Sequence, residues 1–280
     1  MKPKISILCA LSINMVLLAM TGNLVAASNV VAACGTAITS SGTWTLSQNL
    51  TCTGDGIDVE VSNVILKLNG FTITGPGANV ATNGILIASS DGSSLNTVTI
   101  LGPGTITNFQ NGIVFHGTNA GGAVDVKVTG NLFGIQLQAP TNLVISQNNL
   151  QNNFNGISGQ LGTSTIAGND CSNNSDCINL FASSNNKILG NFCDGNRHAG
   201  MVIGGNTSGG ASTGNTVEGN QTSNNRFYGI FLGPSAGGNH LVGNVALGNS
   251  FLDINEFNSH CGSDTFLSDV FRTSSQSCVK

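Results

Sequence analysis

One spacing recurs along this chain and leaves few folds open. Ile145 is followed three residues later by Asn148, and eight residues after that by Gly156-Ile157. Ile166, Asn169 and Cys177-Ile178 repeat the line, as do Ile188, Asn191 and Gly200-Met201, then Val217, Asn220 and Gly229-Ile230. Successive lines start about 21 to 29 residues apart. A fixed period of this size marks stacked coils. Each coil carries two or three short strands whose alternate side chains face inward. One coil cannot bury its own apolar face, so each depends on its neighbours. The recurring Asn falls at a bend, where its amide can bond the backbone of its own turn and the Asn of the next coil. Gly before Ile fits a backbone angle or a close approach that a Cβ would block.

The same landmarks extend the pattern in both directions. Asn83-Gly84-Ile85, Asn111-Gly112-Ile113 and Gly134-Ile135 precede the lines above, and Leu241, Asn244 and Asp253-Ile254 follow them. The spacing predicts about seven to eight coils over 57–257. A solenoid exposes unpaired backbone at each end and needs caps. Segment 34–56, with Trp44 and Leu46 between Cys34 and Cys52, is expected to cap one end. Segment 258–280, with Phe266 and Phe271 between Cys261 and Cys278, is expected to cap the other. No stretch has a useful amphipathic helical period, so the class is all-β, one domain over 28–280. Three connections are longer than the rest, at 89–96, 117–122 and 204–215, and all leave the coil at the same corner. Repeat proteins place variable loops on a working face, although a tolerated surface loop is the plainer explanation.

Residues 1–27 have the form of a secretory signal: Lys2 and Lys4, an apolar run over 5–20, and Val25-Ala26-Ala27 before Ser28. The run is short for a membrane span. Export suits the cysteines, which an oxidising compartment would pair. Cys34–Cys52 and Cys261–Cys278 are expected at the ends. Cys171 and Cys193 each sit two residues after an aligned Asn, so stacked strands bring them about 4.8 Å apart, within disulfide range. That pairing leaves Cys177 free, with Cys171–Cys177 as the competing pair. Val31-Ala32-Ala33-Cys34 also resembles a lipobox, but the polar Thr21-Gly22-Asn23 interruption argues against lipidation of Cys34. The cysteine spacings fit no zinc pattern. Hydrophobic residues make up 40% of the chain, which excludes disorder. Nine basic residues against 13 acidic ones give no basic face for nucleic acid.

Chemistry-bearing side chains gather at one place. Aligning coils sets Arg197 beside Arg226, His198 beside Phe227, and Ala199 beside Tyr228, with Asp176 next to Ala199 and Asp194 just upstream. Stacked arginines suit a uronate carboxylate. Tyr228 suits a sugar face, and His198 or Asp194 suits proton transfer. The candidate catalytic residues are therefore Arg197, His198 and Arg226, and the candidate substrate contacts Tyr228, Asp176 and Asp194. The plainer alternative is solvated arginines paired with Asp176 or Asp194. Asp253, Glu256 and His260 suggest a solvated cap. Asp55, Asp58 and Glu60 raise calcium binding without the spacing of an EF-hand loop. His116 and His240 stand alone, and neither a phosphate loop nor a serine nucleophile elbow is present. No metal site and no cofactor are expected, calcium apart.

The Asn-x-x-Gly-Ile units, the run Leu66-Lys67-Leu68-Asn69-Gly70-Phe71-Thr72-Ile73-Thr74-Gly75 and the Cys-bracketed ends carry a resemblance. The chain resembles the secreted bacterial right-handed parallel β-helix repeat proteins of the pectate-lyase-like superfamily, in its NosD-like group, over about 34–280. Similar proteins more often read Leu-Asp-Leu-Asn-Gly-His in the first run. Here Lys67 and Phe71 replace the acid and the imidazole, which puts in doubt whatever that polar pair did. The resemblance implies a single-stranded right-handed solenoid. It also implies a polysaccharide or cell-surface glycan as partner, contacted along a lateral face by a monomer that is secreted, periplasmic or on the cell surface. Lyase or epimerase work on a uronic polymer is one implied activity. The alternative is a non-catalytic surface, structural or adhesin-like protein, because fold alone does not fix function.

Overall fold

Residues 29–204 and 210–280 are described by the computed structural model. The expected signal segment and the middle of one long loop, 205–209, lie outside the described residues. The rest is a parallel β-solenoid of about ten coils, with one short 3-10 turn at Ser259–Cys261. No helix among the described residues is long and apolar enough to cross a membrane.

Each coil runs through three strand positions that pair only with their equivalents in the coils on either side. The first ladder runs from Trp44 and Leu66 through Ile145, Ile166 and Ile188 to Leu241 and Phe266. The second is short-runged, from Leu50, Ile73, Ile106 and Val128 to Cys171 and Cys193. The third carries Ile57, Ile85, Ile113, Ile135, Ile157 and Ile178, then Met201, Ile230 and Ile254. These inward residues of the third ladder are fully buried. Like stacks on like, so one continuous apolar column forms the core.

Three corners separate the ladders, and each holds its own asparagine stack. At the corner between the first and second ladders, Asn169 donates its backbone N–H and its Nδ2 to Oδ1 of Asn191, both at 3.0 Å. The same Nδ2 reaches the Ile145 carbonyl at 2.9 Å. Asn148, Asn191, Asn220 and Asn244 repeat the pattern. Asn153, Asn174, Asn196 and Asn225 form a second stack between the second and third ladders, and Asn186, Asn215 and Asn239 a third. Bends inside a packed solenoid bury backbone donors and acceptors that a strand ladder does not reach. The amide side chains supply those partners.

The column of glycines before each inward aliphatic serves close approach. A Cβ on Gly200 would lie 2.6 Å from the Gly229 carbonyl oxygen and 2.9 Å from the Thr222 Cβ. No left-handed backbone is involved there; packing alone excludes a side chain.

The stack has more coils than the spacing predicts. Thr36–Ile38 pairs with Ile57–Val59, Gly42–Leu46 with Val64–Lys67, and Thr265–Leu267 with His240–Val242. The segments expected as caps therefore continue the ladders in register. Cys34–Cys52 and Cys261–Cys278 close these end coils. Of the long connections, 89–96 and 117–122 leave the stack at the third-to-first corner, where Asn119 bonds Asn96 side chain to side chain at 2.9 Å.

The internal disulfide corrects an expectation. Cys177 pairs with Cys193, their Cα atoms 5.4 Å apart, and Cys171 is the buried free thiol. The Cys171–Cys193 pair fails because in-register side chains run parallel. Their Cβ atoms stay about one strand spacing apart, beyond the usual Cβ separation of a disulfide. Cys177 instead occupies the glycine column. One coil earlier, a Cβ on Gly156 would lie 2.7 Å from the Cys171 Cβ. Cys177 faces Cys193 in the equivalent geometry, where a covalent bond resolves the crowding. The competing Cys171–Cys177 pair does not form either.

Candidate functional site

The third ladder turns alternate side chains outward, and one outward column runs Asn155, Asp176, Ala199, Tyr228. Asp176 is 6% exposed. Its Oδ1 lies 2.7 Å from Nδ1 of His198 and accepts the Ala199 N–H at 3.1 Å. Its Oδ2 accepts Nδ2 of Asn179 at 3.0 Å. Buried carboxylates need such partners. The His198 side chain is 43% exposed. A carboxylate that engages Nδ1 fixes the ring and leaves Nε2 as the proton-handling atom.

Aromatic rings surround this pair. His198 lies 5.7 Å from Phe227 and 5.9 Å from Tyr228, centroid to centroid. Tyr228 stacks on Phe231 at 5.2 Å, nearly parallel at 19°, and meets Phe251 edge-on at 5.7 Å. The Arg226 guanidinium sits 5.9 Å from the Phe227 centroid, in cation–π range. Phe227 and Phe251 are exposed at 42% and 61%. A cluster of half-wet rings beside an oriented imidazole offers apolar faces and a polar edge at once.

Four of the six expected residues meet here: Asp176, His198, Tyr228 and Arg226. Arg197 holds the backbone position equivalent to Arg226, since each donates its N–H to the corner Asn of the preceding coil. Its side chain, however, lines a shallow cavity of about 510 Å³ around the corner with Phe154, Asn173 and Gly195. Asp194 ties its turn to the next coil, accepting Ser223 N–H at 2.7 Å and bonding Gln221. Among the described residues neither arginine pairs with Asp176 or Asp194; the Asp176 carboxylate meets the His198 imidazole instead.

Other expected clusters are structural. Asp253 ends an asparagine stack, accepting from Asn249, Arg272 and Thr273. Burial opposes its charge, but these bonds outweigh that and hold its carboxyl below the ordinary range. Glu256 is fully buried. Burial, with the nearby Asp264 charge adding, pushes its carboxyl up to about 7 against the bonds it accepts from Asn258. Asp58 is raised by burial, then by Asp55 and Glu60, while Asp55 accepts the Asn83 N–H at 2.6 Å. His116 bonds Gln138 at 2.6 Å and His240 bonds Thr265 at 2.7 Å. Among the described residues, the one group of donors close enough to hold a metal ion is Cys171, Cys177 and Cys193, two of which form the disulfide.

Phe231 and Phe251 are the site residues that sequence reasoning missed. Phe251 was signalled: it falls two residues after Asn249, as Phe227 falls two after Asn225.

The model of the right-handed β-helix region matches residues 111–266. Among solved structures, the Dettilon tailspike protein gp208 superposes with a TM-score of 0.65 at 15% identity, over 87% of this chain and 51% of that one. A mutant tailspike of E. coli bacteriophage HK620, in complex with a pentasaccharide, superposes with a TM-score of 0.61 at 13% identity, over 85% and 57%. ORF18 of Geobacillus virus E2 gives 0.58 at 14% identity, over 89% and 54%. The chain thus spans little more than half the length of these structures. No curated protein matches the sequence.

Proposed function

We propose, for a chain that belongs to the right-handed β-helix family, that the outer face of its third ladder contacts polysaccharide around His198 and Tyr228. The observation that carries this reading is the ring cluster of Phe227, Tyr228, Phe231 and Phe251 beside the Asp176-held imidazole. Aromatic faces bind sugar rings by apolar contact, and polar groups at their edges fix orientation. The solved tailspike that holds a pentasaccharide is similar in fold only, which sets a prior for the ligand. Three disulfides support an exported protein, secreted, periplasmic or on the cell surface. Glycan-array binding of wild type and Tyr228→Ala tests the reading. Specific glycan signals that fall about tenfold in the variant support it; no glycan signal, or one indifferent to Tyr228, contradicts it.

A second reading adds catalysis, because the His198 Nδ1 to Asp176 Oδ1 contact of 2.7 Å is the arrangement of an oriented proton acceptor. Lyase or epimerase action on a uronic polymer would use His198, with Arg226 toward a carboxylate. Pectate and alginate, incubated with and without calcium, test it through unsaturated products and through uronate ratios by NMR. Turnover lost in His198→Ala supports it. Glycan binding without turnover leaves a non-catalytic surface or adhesin-like role.

A further inference from the structure

The outer face of the third ladder continues beyond the His198 cluster. Back along the stack from Val202, one outward column runs Asn179, Ser158, Gln136. The parallel column runs from Tyr228 through Ala199 and Asp176 to Asn155. Gln160 and Gln138 lie in register with His116 in a third. At the far end, His116, Gln136, Gln138, Gln160 and Phe181 line a cavity of about 450 Å³. No lysine or arginine lines it. The acid on this track, Asp176, is already committed to His198, Ala199 and Asn179.

Two acceptors in this floor lack partners, Oε1 of Gln136 and Oδ1 of Asn155. Asn155 is 6% exposed. Buried polar atoms are nearly always hydrogen-bonded, and an exception calls for a donor that is absent. The terminal torsion of a glutamine is soft, so the Gln136 amide can turn to meet a ligand in the cavity it lines. Hydroxyl groups are donors of the right kind. A carboxylate in the Gln136 cavity would set acceptor against acceptor, with no lysine or arginine lining it to offset the charge.

Resting on the polysaccharide reading above, we propose that this track is a groove for an uncharged, hydroxyl-rich oligosaccharide. One end of the ligand fills the Gln136 cavity and the other lies on Tyr228. The Gln136 coil and the Tyr228 coil are four steps apart, about 19 Å at the strand spacing. The ligand must therefore be an oligomer, since a single sugar cannot touch both ends.

Titration calorimetry on the full protein tests this with uncharged glucan, mannan and galactan hexasaccharides, their disaccharides, and acidic galacturonate and mannuronate hexamers. An uncharged hexasaccharide is expected to bind at least tenfold more tightly than its disaccharide and than either acidic hexamer. Gln136→Leu and Gln160→Ala are each expected to weaken it about fivefold, one hydrogen bond's worth. Gln160 is at the surface of the cavity, so its variant decides the matter should Gln136→Leu fail to fold. Equal or tighter binding of acidic hexamers overturns the groove. So does neutral binding that Tyr228→Ala abolishes and both glutamine variants leave unchanged, an outcome that spares the polysaccharide reading. Failure of every saccharide overturns both.

Discussion

Asn244 donates both its backbone N–H and its side-chain Nδ2 to Oδ1 of Asp269, each at 2.8 Å. Asn239 makes the same pair of bonds to Asp264, and Asn249 to Asp253. All three asparagine stacks thus end in an aspartate. Within a stack every amide both accepts from one neighbour and donates onward. The last member has no further coil to serve, and an acceptor-only side chain closes the series.

Asp269→Asn separates the acceptor at this end from its charge. Asn244 sends its Nδ2 to the Val217 carbonyl at 2.8 Å, and an amide at 269 would reach the Leu241 carbonyl in the same way. Oδ2 of Asp269 is buried without a partner, and burial pushes the carboxyl above its ordinary value. The folded chain then holds a proton at pH values where the unfolded chain has lost it. Stability falls as pH rises through that window. The amide removes the loss, so the variant should melt higher than wild type in mildly alkaline buffer and equally in acid. Thermal melts at both pH values check this; a lower melting point in alkali refutes it.

Glu256 gives the larger pH effect. Its carboxyl rises from 4.5 to about 7, chiefly through burial. Stability should decline as pH rises from the ordinary carboxylate range to about 7, then level off. Glu256→Gln should flatten that decline, as urea titrations across the range will show. Asp253, held below its ordinary value, acts with the opposite sign and only in stronger acid.

An interior stack member carries more bonds than an end. Asn191 accepts from Asn169 twice and donates to the Ile166 carbonyl and to Asn220. Asn191→Ala strands several buried groups and should cost roughly 3 kcal/mol. Exposed Asn79→Ala should cost under about 0.5 kcal/mol. Chemical denaturation of both separates the stack from mere composition.

Cys177→Gly should remove the internal disulfide without replacing it. The glycine restores the column and leaves Cys171 and Cys193 at neighbouring levels of the second ladder, their Cβ atoms about one strand spacing apart and beyond disulfide reach. Alkylation after unfolding should find free thiols at both Cys171 and Cys193. Non-reducing peptide mapping that finds Cys171–Cys193 instead would show that in-register neighbours can pair, and would contradict this. In wild type Cys171 should resist alkylation until unfolding, because burial raises its thiol well above the ordinary range.

Much of this was legible in the sequence, for reasons that differ by ladder. The Asn148–Asn169–Asn191–Asn220 line showed because those residues keep a fixed offset from the first-ladder aliphatics. The stacks through Asn174 and Asn215 did not, since the second ladder has rungs too short to leave a pattern and the third corner carries loops of unequal length. The end coils carry no Asn-Gly-Ile landmark, so ten coils were counted as fewer. Register correctly set Asp176 beside Ala199 and Tyr228. It said nothing of where a side chain at a bend turns, which is why Arg197 and Asp194 left the cluster. Cys177 was aligned with Gly156 and Gly200 from the start, but the distance that makes this position too tight for a free side chain is visible only in three dimensions.

The most direct measurement is saturation-transfer NMR between the protein and an oligosaccharide that the glycan array selects, repeated on Tyr228→Ala and Phe251→Ala. The account predicts transfer to the sugar ring protons in wild type, reduced several-fold in both variants while their melting points stay within a few degrees. Transfer that persists unchanged in both variants would place the ligand elsewhere and contradict it.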